Sequence, residues 1–293
     1  MINYWLKDDN KPAFMHAKAI IEFHAKSFAI ASKLLPEHKR WGTWGVYSFC
    51  RYTDNIIDKP RSRNQQDIVL EIERLRTELD LAFKHGESEH PVIKAFIASQ
   101  REFNIPINYA YELIEGVMMD SEFTGYQNFD ELYRFCYRVA SVVGLMMTYV
   151  IGFKNEDTLK YAEKMGIAMQ LTNILRDVEE DSRNSRIYIP NDELKKFNVT
   201  NSQIIESRFD DNFRNLMKFQ VERAQSYYKE AEKGIGDLSK DSQFAIYSAS
   251  KIYGGILQKI KENDYNPFLG RVFLPKSQKL MILLSEWVKR LFR

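Results

Sequence analysis

Apolar residues recur at three- and four-residue spacing along almost the whole chain, and alternating patterns of the β type are scarce. That period lines apolar side chains along one face of successive α-helices. It predicts helices over 13–34, 37–58, 64–85, 91–103, 107–121, 128–151, 156–182, 191–195, 201–206, 209–235, 240–263 and 276–291. The breaks coincide with residues that stop helices: Pro36, Pro60, Gly86 to Pro91, Pro106, Gly125, Gly152, Pro190, Gly234 to Gly236, and Pro267 to Gly270. The fold class is therefore all-α. No repeat, low-complexity tract or Gly/Ser/Pro-rich linker divides the 293 residues, so a single domain over residues 1–293 is expected. A domain of that length can enclose a sizeable cavity, and an aromatic share of 13% suits a wide apolar interior.

With 42 basic and 40 acidic residues the formal charge is +2, which gives no electrostatic reason to expect a nucleic-acid partner. Cys50 and Cys136 lie inside apolar helical runs, with no CxxC and no accompanying histidine. They read as buried, reduced thiols in a reducing compartment. The N-terminal MINYWLKDDNKP has no apolar run of signal-peptide length. No stretch is expected to reach the roughly 18 apolar residues of a membrane span, and a cytoplasmic protein is expected.

Two acidic pairs carry the chemistry. Asp54 and Asp58 in RYTDNIID, and Asp177 and Asp181 in NILRDVEED, are each four residues apart with an arginine just before them, Arg51 and Arg176. Residues four apart share a helix face, so each pair offers two oxygen-bearing prongs of the kind that hold Mg²⁺ together with substrate phosphates. The first pair extends into the stripe Tyr47, Arg51, Asp54, Asp58, and the second into Gln170, Asn173, Asp177, Asp181. The other faces of these helices carry Val46, Phe49, Ile56 and Ile57, or Met169, Leu171, Ile174 and Leu175. Helices apolar on more than one side are buried, and buried carboxylates need a cation or a hydrogen-bond partner. Two solvated faces with chance spacing are the alternative, natural for either pair alone but strained by both together.

A second set is basic and hydroxylic: His24-Ala25-Lys26-Ser27-Phe28, then Arg186-Ile187-Tyr188-Ile189-Pro190, then Tyr253, Arg271 and Lys276. Lysine and arginine suit phosphate oxygens, although ordinary surface charge and a core phenol at Tyr253 are the competing readings. The chain has no P-loop, GxGxxG, HExxH or GxSxG motif.

These residues resemble the squalene/phytoene synthases. The resemblance rests on Tyr47 to Asp58, on Gln170 to Asp181, on His24 to Phe28, on Leu113 to Asp120, on Cys136 to Met147 and on Arg186 to Pro190, and extends over roughly residues 20 to 280. It is closest to the carotenoid-forming bacterial enzymes. It implies an all-α isoprenoid-synthase fold around a central cavity. The implied reaction is head-to-head joining of two prenyl diphosphates, farnesyl or geranylgeranyl, through a cyclopropylcarbinyl diphosphate, giving dehydrosqualene (C30) or phytoene (C40). The implied cofactor is Mg²⁺, about two or three ions, on Asp54, Asp58, Asn173, Asp177 and Asp181. Tyr47, Arg51 and Tyr253 join the aspartates as catalytic candidates. His24, Lys26, Ser27, Arg51, Tyr137, Gln170, Asn173, Arg176, Arg186, Tyr188 and Arg271 are the implied substrate contacts.

Three positions depart from the family pattern. Asn55 stands where a second aspartate is usual, Phe135 where a tyrosine is usual in Phe135-Cys136-Tyr137, and Ser141 where glycine is frequent. One residue on from Asp54, Asn55 points away from the stripe, so Asp54 and Asp58 keep their expected role. Tyr133 lies on the wrong face to replace the lost phenol, and Ser141 is small enough to keep helices close. The small Ser32, a turn beyond Phe28, favours the longer C20 substrate, whereas the bulky Trp44 favours C15. An NADPH-dependent squalene synthase, a prenyl-diphosphate phosphatase and a non-catalytic Mg²⁺-binding scaffold are the alternatives. The C-terminal stretch from Lys279 to Arg293 mixes apolar residues with Lys289, Arg290 and Arg293, and reads either as a last core helix or as a peripheral membrane contact for product release.

Overall fold

A computed structural model of the chain describes residues 3–7, 9–25, 28–29, 32–58 and 64–291, without the side chains of 57, 58 and 289–291. The described residues are helical, and they contain one isolated bridge, Phe153 to Leu238, and no strand. The helices are α1 (Lys11–His24), α2 (Glu37–Asp58), α3 (Gln65–His85), α4 (Pro91–Phe103), α5 (Asn108–Ser121) and α6 (Phe129–Cys136). There follow α7 (Val142–Ile151), α8 (Asp157–Arg176), α9 (Val178–Arg183), α10 (Asn191–Lys196) and α11 (Asn201–Ile205). The last are α12 (Asp211–Glu232), α13 (Lys240–Glu262) and α14 (Lys276–Leu291).

Local chemistry accounts for many boundaries. The Asn64 side chain accepts from the Asp67 N–H at 2.8 Å to start α3, and the Asp210 carboxylate accepts from the Phe213 N–H at 2.8 Å to start α12. Three boundaries differ from the periodicity. The helix expected over 13–34 ends at His24, because Ala25 leaves helical geometry at φ −137° and ψ 57° with neither glycine nor proline nearby. The helix expected over 128–151 is divided by a π-turn at Tyr137–Ser141. There a Cβ on Gly166 would lie 2.4 Å from the Ser141 Cα, so the two backbones touch at the end of the π-turn. The small Ser141 thus keeps helices close, as expected. The helix expected over 156–182 bends at Asp177.

The chain forms two compact units. The first comprises residues 1–122, 142–159 and 237–245. Its centre is the crossing of α2 and α4, where Gly45 is so close to Ala95 and Ser99 that a Cβ would lie 2.8 Å from the Ala95 carbonyl oxygen. Phe49 and Phe96 stack beside that crossing at 4.2 Å. Lys39, 8% exposed, donates to the Ile151 carbonyl at 2.6 Å and to Asp241 at 2.8 Å, which ties α2 to the end of α7 and the start of α13. The second unit comprises 123–141, 160–236 and 246–293. In it Thr172 of α8 pairs with Tyr228 of α12 at 3.2 Å, and the buried Glu193 binds Arg223, whose guanidinium lies 3.9 Å from the centroid of Phe129.

One stretch, Phe129–Ile151, does have the length and apolarity of a membrane span, contrary to expectation. Half of its most apolar window is buried inside the fold and the π-turn interrupts it, so its apolarity serves the core.

Candidate functional site

The first motif lies on the unbroken α2. Tyr47, Arg51 and Asp54 are half-buried along one face, while Val46, Phe49, Cys50, Thr53 and Ile56 are buried behind them. Burial, with the Asp54 charge next, pushes the Cys50 thiol well above its ordinary pKa. Cys50 and Cys136 are both free and buried, as read from the sequence. The Asn55 side-chain oxygen is buried and has no hydrogen-bond partner among the described residues. Asp58 closes the helix, and its side chain lies outside the described residues.

The other candidates of this unit are placed as follows. His24 is exposed at the end of α1, with its ring 4.8 Å from Phe23. Lys26 and Ser27 lie outside the described residues. Phe28 approaches Tyr47 at 5.5 Å between centroids. The two residues with opposed implications for substrate length are bonded: the Trp44 indole N–H donates to Ser32 Oγ at 2.8 Å, and Ser32 donates to the Ala29 carbonyl at 2.9 Å. Ser32 is 2% and Trp44 3% exposed.

The second motif is built differently. Asp177 sits between α8 and α9 at φ −106° and ψ 14°, so the stripe Gln170, Asn173, Asp177, Asp181 is not one regular helix. The helical pairing survives the bend, with Asp177 N–H on the Asn173 carbonyl at 2.9 Å and Asp181 N–H on the Asp177 carbonyl at 2.8 Å. The Asn173 amide donates to Gln170 at 3.3 Å. The Asp177 carboxylate accepts from Arg176 Nε at 2.8 Å and pairs with Arg271 Nε at 3.0 Å. Arg271 also reaches Glu180 at 3.3 Å. Burial opposes the charged form of Arg176, yet the bond to Asp177, with Tyr253 and Glu180 adding their charge, holds its pKa above the ordinary arginine value. Arg176, Asp177, Glu180, Tyr253 and Arg271 therefore form one electrostatic group. Glu180 was not anticipated; its place three residues after Asp177 was the available signal.

Arg186 folds back so that its N–H meets the Asp181 carbonyl at 2.9 Å, and the two residues line one crevice of about 10 Å³, room for a single water. Tyr188 is 9% exposed and stacks on Phe135 at 5.4 Å and 15°. This explains Phe135: its ring is a layer of a buried aromatic stack, where a phenol would require a partner. Tyr137 is half-buried at the start of the π-turn. The Tyr133 hydroxyl is committed to Glu163, in keeping with its expected orientation.

The donor set is all oxygen, which suits Mg²⁺ rather than a softer metal. Among the described residues no three His, Cys, Asp or Glu side chains converge on one metal position.

The model of the squalene/phytoene synthase family matches residues 21–278. The chain is 35% identical over 283 residues to 15-cis-phytoene synthase of Synechococcus elongatus, covering 92% of this chain and 91% of that one. It is 34% identical to the chloroplastic phytoene synthase 3 of Zea mays, covering 96% of this chain and 67% of that one. Among solved structures it is similar to a dehydrosqualene synthase in complex with ligand, with a TM-score of 0.87 and 28% identity over 97% of this chain and 98% of that one. Its likeness to a squalene synthase of Alicyclobacillus acidocaldarius, with a TM-score of 0.81 at 23% identity over 88% of this chain and 96% of that one, is one of fold.

Proposed function

We propose that this chain, which belongs to the squalene/phytoene synthase family, is a Mg²⁺-dependent phytoene synthase acting on two molecules of geranylgeranyl diphosphate. Its fold is the all-α isoprenoid-synthase fold, and the family reaction is head-to-head condensation of prenyl diphosphates. The proposal comprises the C20 substrate, the metal, the residue roles, one functional domain over residues 1–293, and a cytoplasmic enzyme in peripheral contact with membrane.

The hydrogen bond between Trp44 and Ser32 carries the choice of C20. The residue whose bulk argued for C15 is fixed against the residue whose smallness argues for C20. In this reading the indole stays pinned to Ser32, and the small side chain at position 32 would leave room for the longer tail. The names of the curated relatives point the same way.

In this reading Asp54, Asp58, Asp177 and Asp181, with Asn173, would hold Mg²⁺, which would supply positive charge to the departing diphosphate. Arg51, Arg176, Arg186 and Arg271 bind diphosphate oxygens. Arg176 and Arg271 keep Asp177 charge-balanced and exchange that carboxylate for phosphate oxygens when substrate enters. Tyr47 and Tyr253 place phenols near the reacting end, and His24, Lys26, Ser27, Tyr137, Gln170 and Tyr188 complete the substrate contacts. Apolar walls exclude water from the allylic cation as it forms the cyclopropylcarbinyl diphosphate and then rearranges.

The test is incubation of the purified protein and Mg²⁺ with C15 or C20 all-trans prenyl diphosphate, with and without NADPH, followed by mass identification of products. Phytoene from C20 as the preferred product is expected. Dehydrosqualene as the main product overturns the chain-length assignment, squalene formed only with NADPH makes the chain a reductive synthase, and a free prenyl alcohol alone makes it a phosphatase.

A further inference from the structure

Helix α14 turns its apolar face outward. Leu280, Met281, Leu284, Trp287 and Val288 are 57%, 65%, 54%, 53% and 44% exposed. At about 100° per residue they fall on one arc centred on Leu284. The half-buried side carries Gln278, Lys279 and Glu286 beside Ile282 and Leu283, while Lys276, Ser277 and Ser285 are exposed within or beside the apolar arc. The preceding segment continues the surface, with Leu269 64% and Phe273 73% exposed. Single exposed apolar residues are ordinary, but a contiguous stripe marks an interaction surface.

Charge identifies what covers it. Residues 276–293 hold five cations, Lys276, Lys279, Lys289, Arg290 and Arg293, against one acid, Glu286, in a chain whose whole net charge is only +2. A second copy docked through this arc would bring two cationic sets together. An anionic bilayer complements them and also takes the apolar arc and the amphipathic ring of Trp287.

We propose that α14 is a membrane-docking helix, lying in the headgroup–acyl boundary of an anionic lipid bilayer with Leu280, Met281, Leu284, Trp287 and Val288 inserted. Arg271, on the Asp177 carboxylate, stands five residues before the helix, so a short segment joins the docking element to the second aspartate motif. Only the use of the contact rests on the proposed function: a water-insoluble hydrocarbon needs a lipid phase to leave into.

The test is sedimentation of the full chain, without substrate, with phosphatidylcholine vesicles containing or lacking phosphatidylglycerol. Binding to the anionic vesicles, weakening as salt rises, is expected. The double substitution Leu284→Glu with Trp287→Glu lowers the bound fraction by about tenfold or more at an unchanged melting temperature. Lys276→Gln, at an exposed cation beside the arc, leaves the apolar residues intact and weakens binding to anionic vesicles alone. Wild type left in the supernatant with both vesicle types, or equal binding by wild type and both variants, overturns the proposal. A wild-type dimer that Leu284→Glu converts to monomer, with no vesicle binding, assigns the face to a second copy and also overturns it. Because the readout needs no turnover, its failure is distinct from failure of the chain-length assignment.

Discussion

Replacing Ser32 by phenylalanine separates a residue that borders the substrate tail from one that merely fills the core. Ser32 is 2% exposed, and its Oγ accepts from the Trp44 indole at 2.8 Å. Phenylalanine removes that acceptor and leaves a buried N–H unpaired, at about 1–3 kcal/mol. A ring forced into closed packing would cost about another 1–3 kcal/mol. In the proposed position the ring instead enters the tail's space, the second cost disappears, and the last isoprene unit of the C20 tail is displaced. Five carbons at about 0.8 kcal/mol each come to about 4 kcal/mol, roughly a thousandfold in kcat/KM for C20 relative to C15. Both diphosphates are supplied in one tube and the C40 and C30 products are counted by mass, so any unfolded fraction cancels from the ratio. A variant whose melting temperature falls by the full sum, while its product ratio stays within about threefold of wild type, refutes the assignment of Ser32 to the tail's space.

Asp177→Asn preserves an oxygen for Arg176 but removes the charge, and is expected to lower kcat by about a hundredfold or more. A steady-state Mg²⁺ titration checks this, and full Mg²⁺-dependent turnover would remove Asp177 from the metal site. Gly166→Ala places a Cβ 2.4 Å from the Ser141 Cα and should destabilise by about 1–3 kcal/mol, measured by urea unfolding; an unchanged midpoint would mean that the π-turn simply yields. At Asp241, burial raises the carboxyl pKa, but bonds from Lys39 and Ser242 outweigh it and hold the group below its ordinary value. A depressed carboxylate contributes stability above its unfolded pKa and loses it as pH falls through the folded one. Asp241→Asn should therefore reduce the loss of stability below about pH 4. The change in urea midpoint will be small because the side chain is 43% exposed, and an acid limb identical to wild type counts against the pairing.

The helices bounded by strong punctuation were legible from sequence to the residue: 37–58 between Pro36 and Pro60, 91–103 starting at Pro91, and 276–291 beyond the break at Pro267 to Gly270. The boundaries that were missed have causes distant in sequence or absent from local composition. The π-turn at Ser141 touches Gly166, twenty-five residues on, and periodicity carries no trace of such a contact. Ala25 is among the best helix formers, so the end of α1 owes nothing to local propensity. The aspartates were legible as oxygen pairs because spacing alone defines a helix face. Arg176 was legible beside Asp177, but the pairing of Asp177 with Arg271 was not, since the two are ninety-four residues apart. The Trp44–Ser32 bond joins two residues that volume arguments had treated as independent.

The two motifs look interchangeable in sequence, but the fold gives them different means of holding negative charge. Adjacent side chains on a helix diverge, so Arg176 reaches the Asp177 carboxylate only because the backbone bends at 177. On the unbroken α2, Arg51 lies one turn from Asp54 instead, and the position after Asp54 carries a neutral Asn55 whose side-chain oxygen is buried and has no partner among the described residues. That orphaned oxygen makes Asn55→Asp informative. An added carboxylate there is desolvated beside Asp54 and should cost about 1–3 kcal/mol without metal, as the uncompensated burial of charge requires. Because position 55 diverges from the Asp54 stripe on the unbroken helix, Mg²⁺ bound there is not expected to repay that cost, so the variant's melting temperature should respond to Mg²⁺ no more than the wild-type value does. The readout is thermal unfolding with Mg²⁺ or with chelator, independent of turnover. A larger Mg²⁺ response in the variant than in the wild type would put position 55 on the metal-binding face with Asp54 and Asp58 and overturn that geometry.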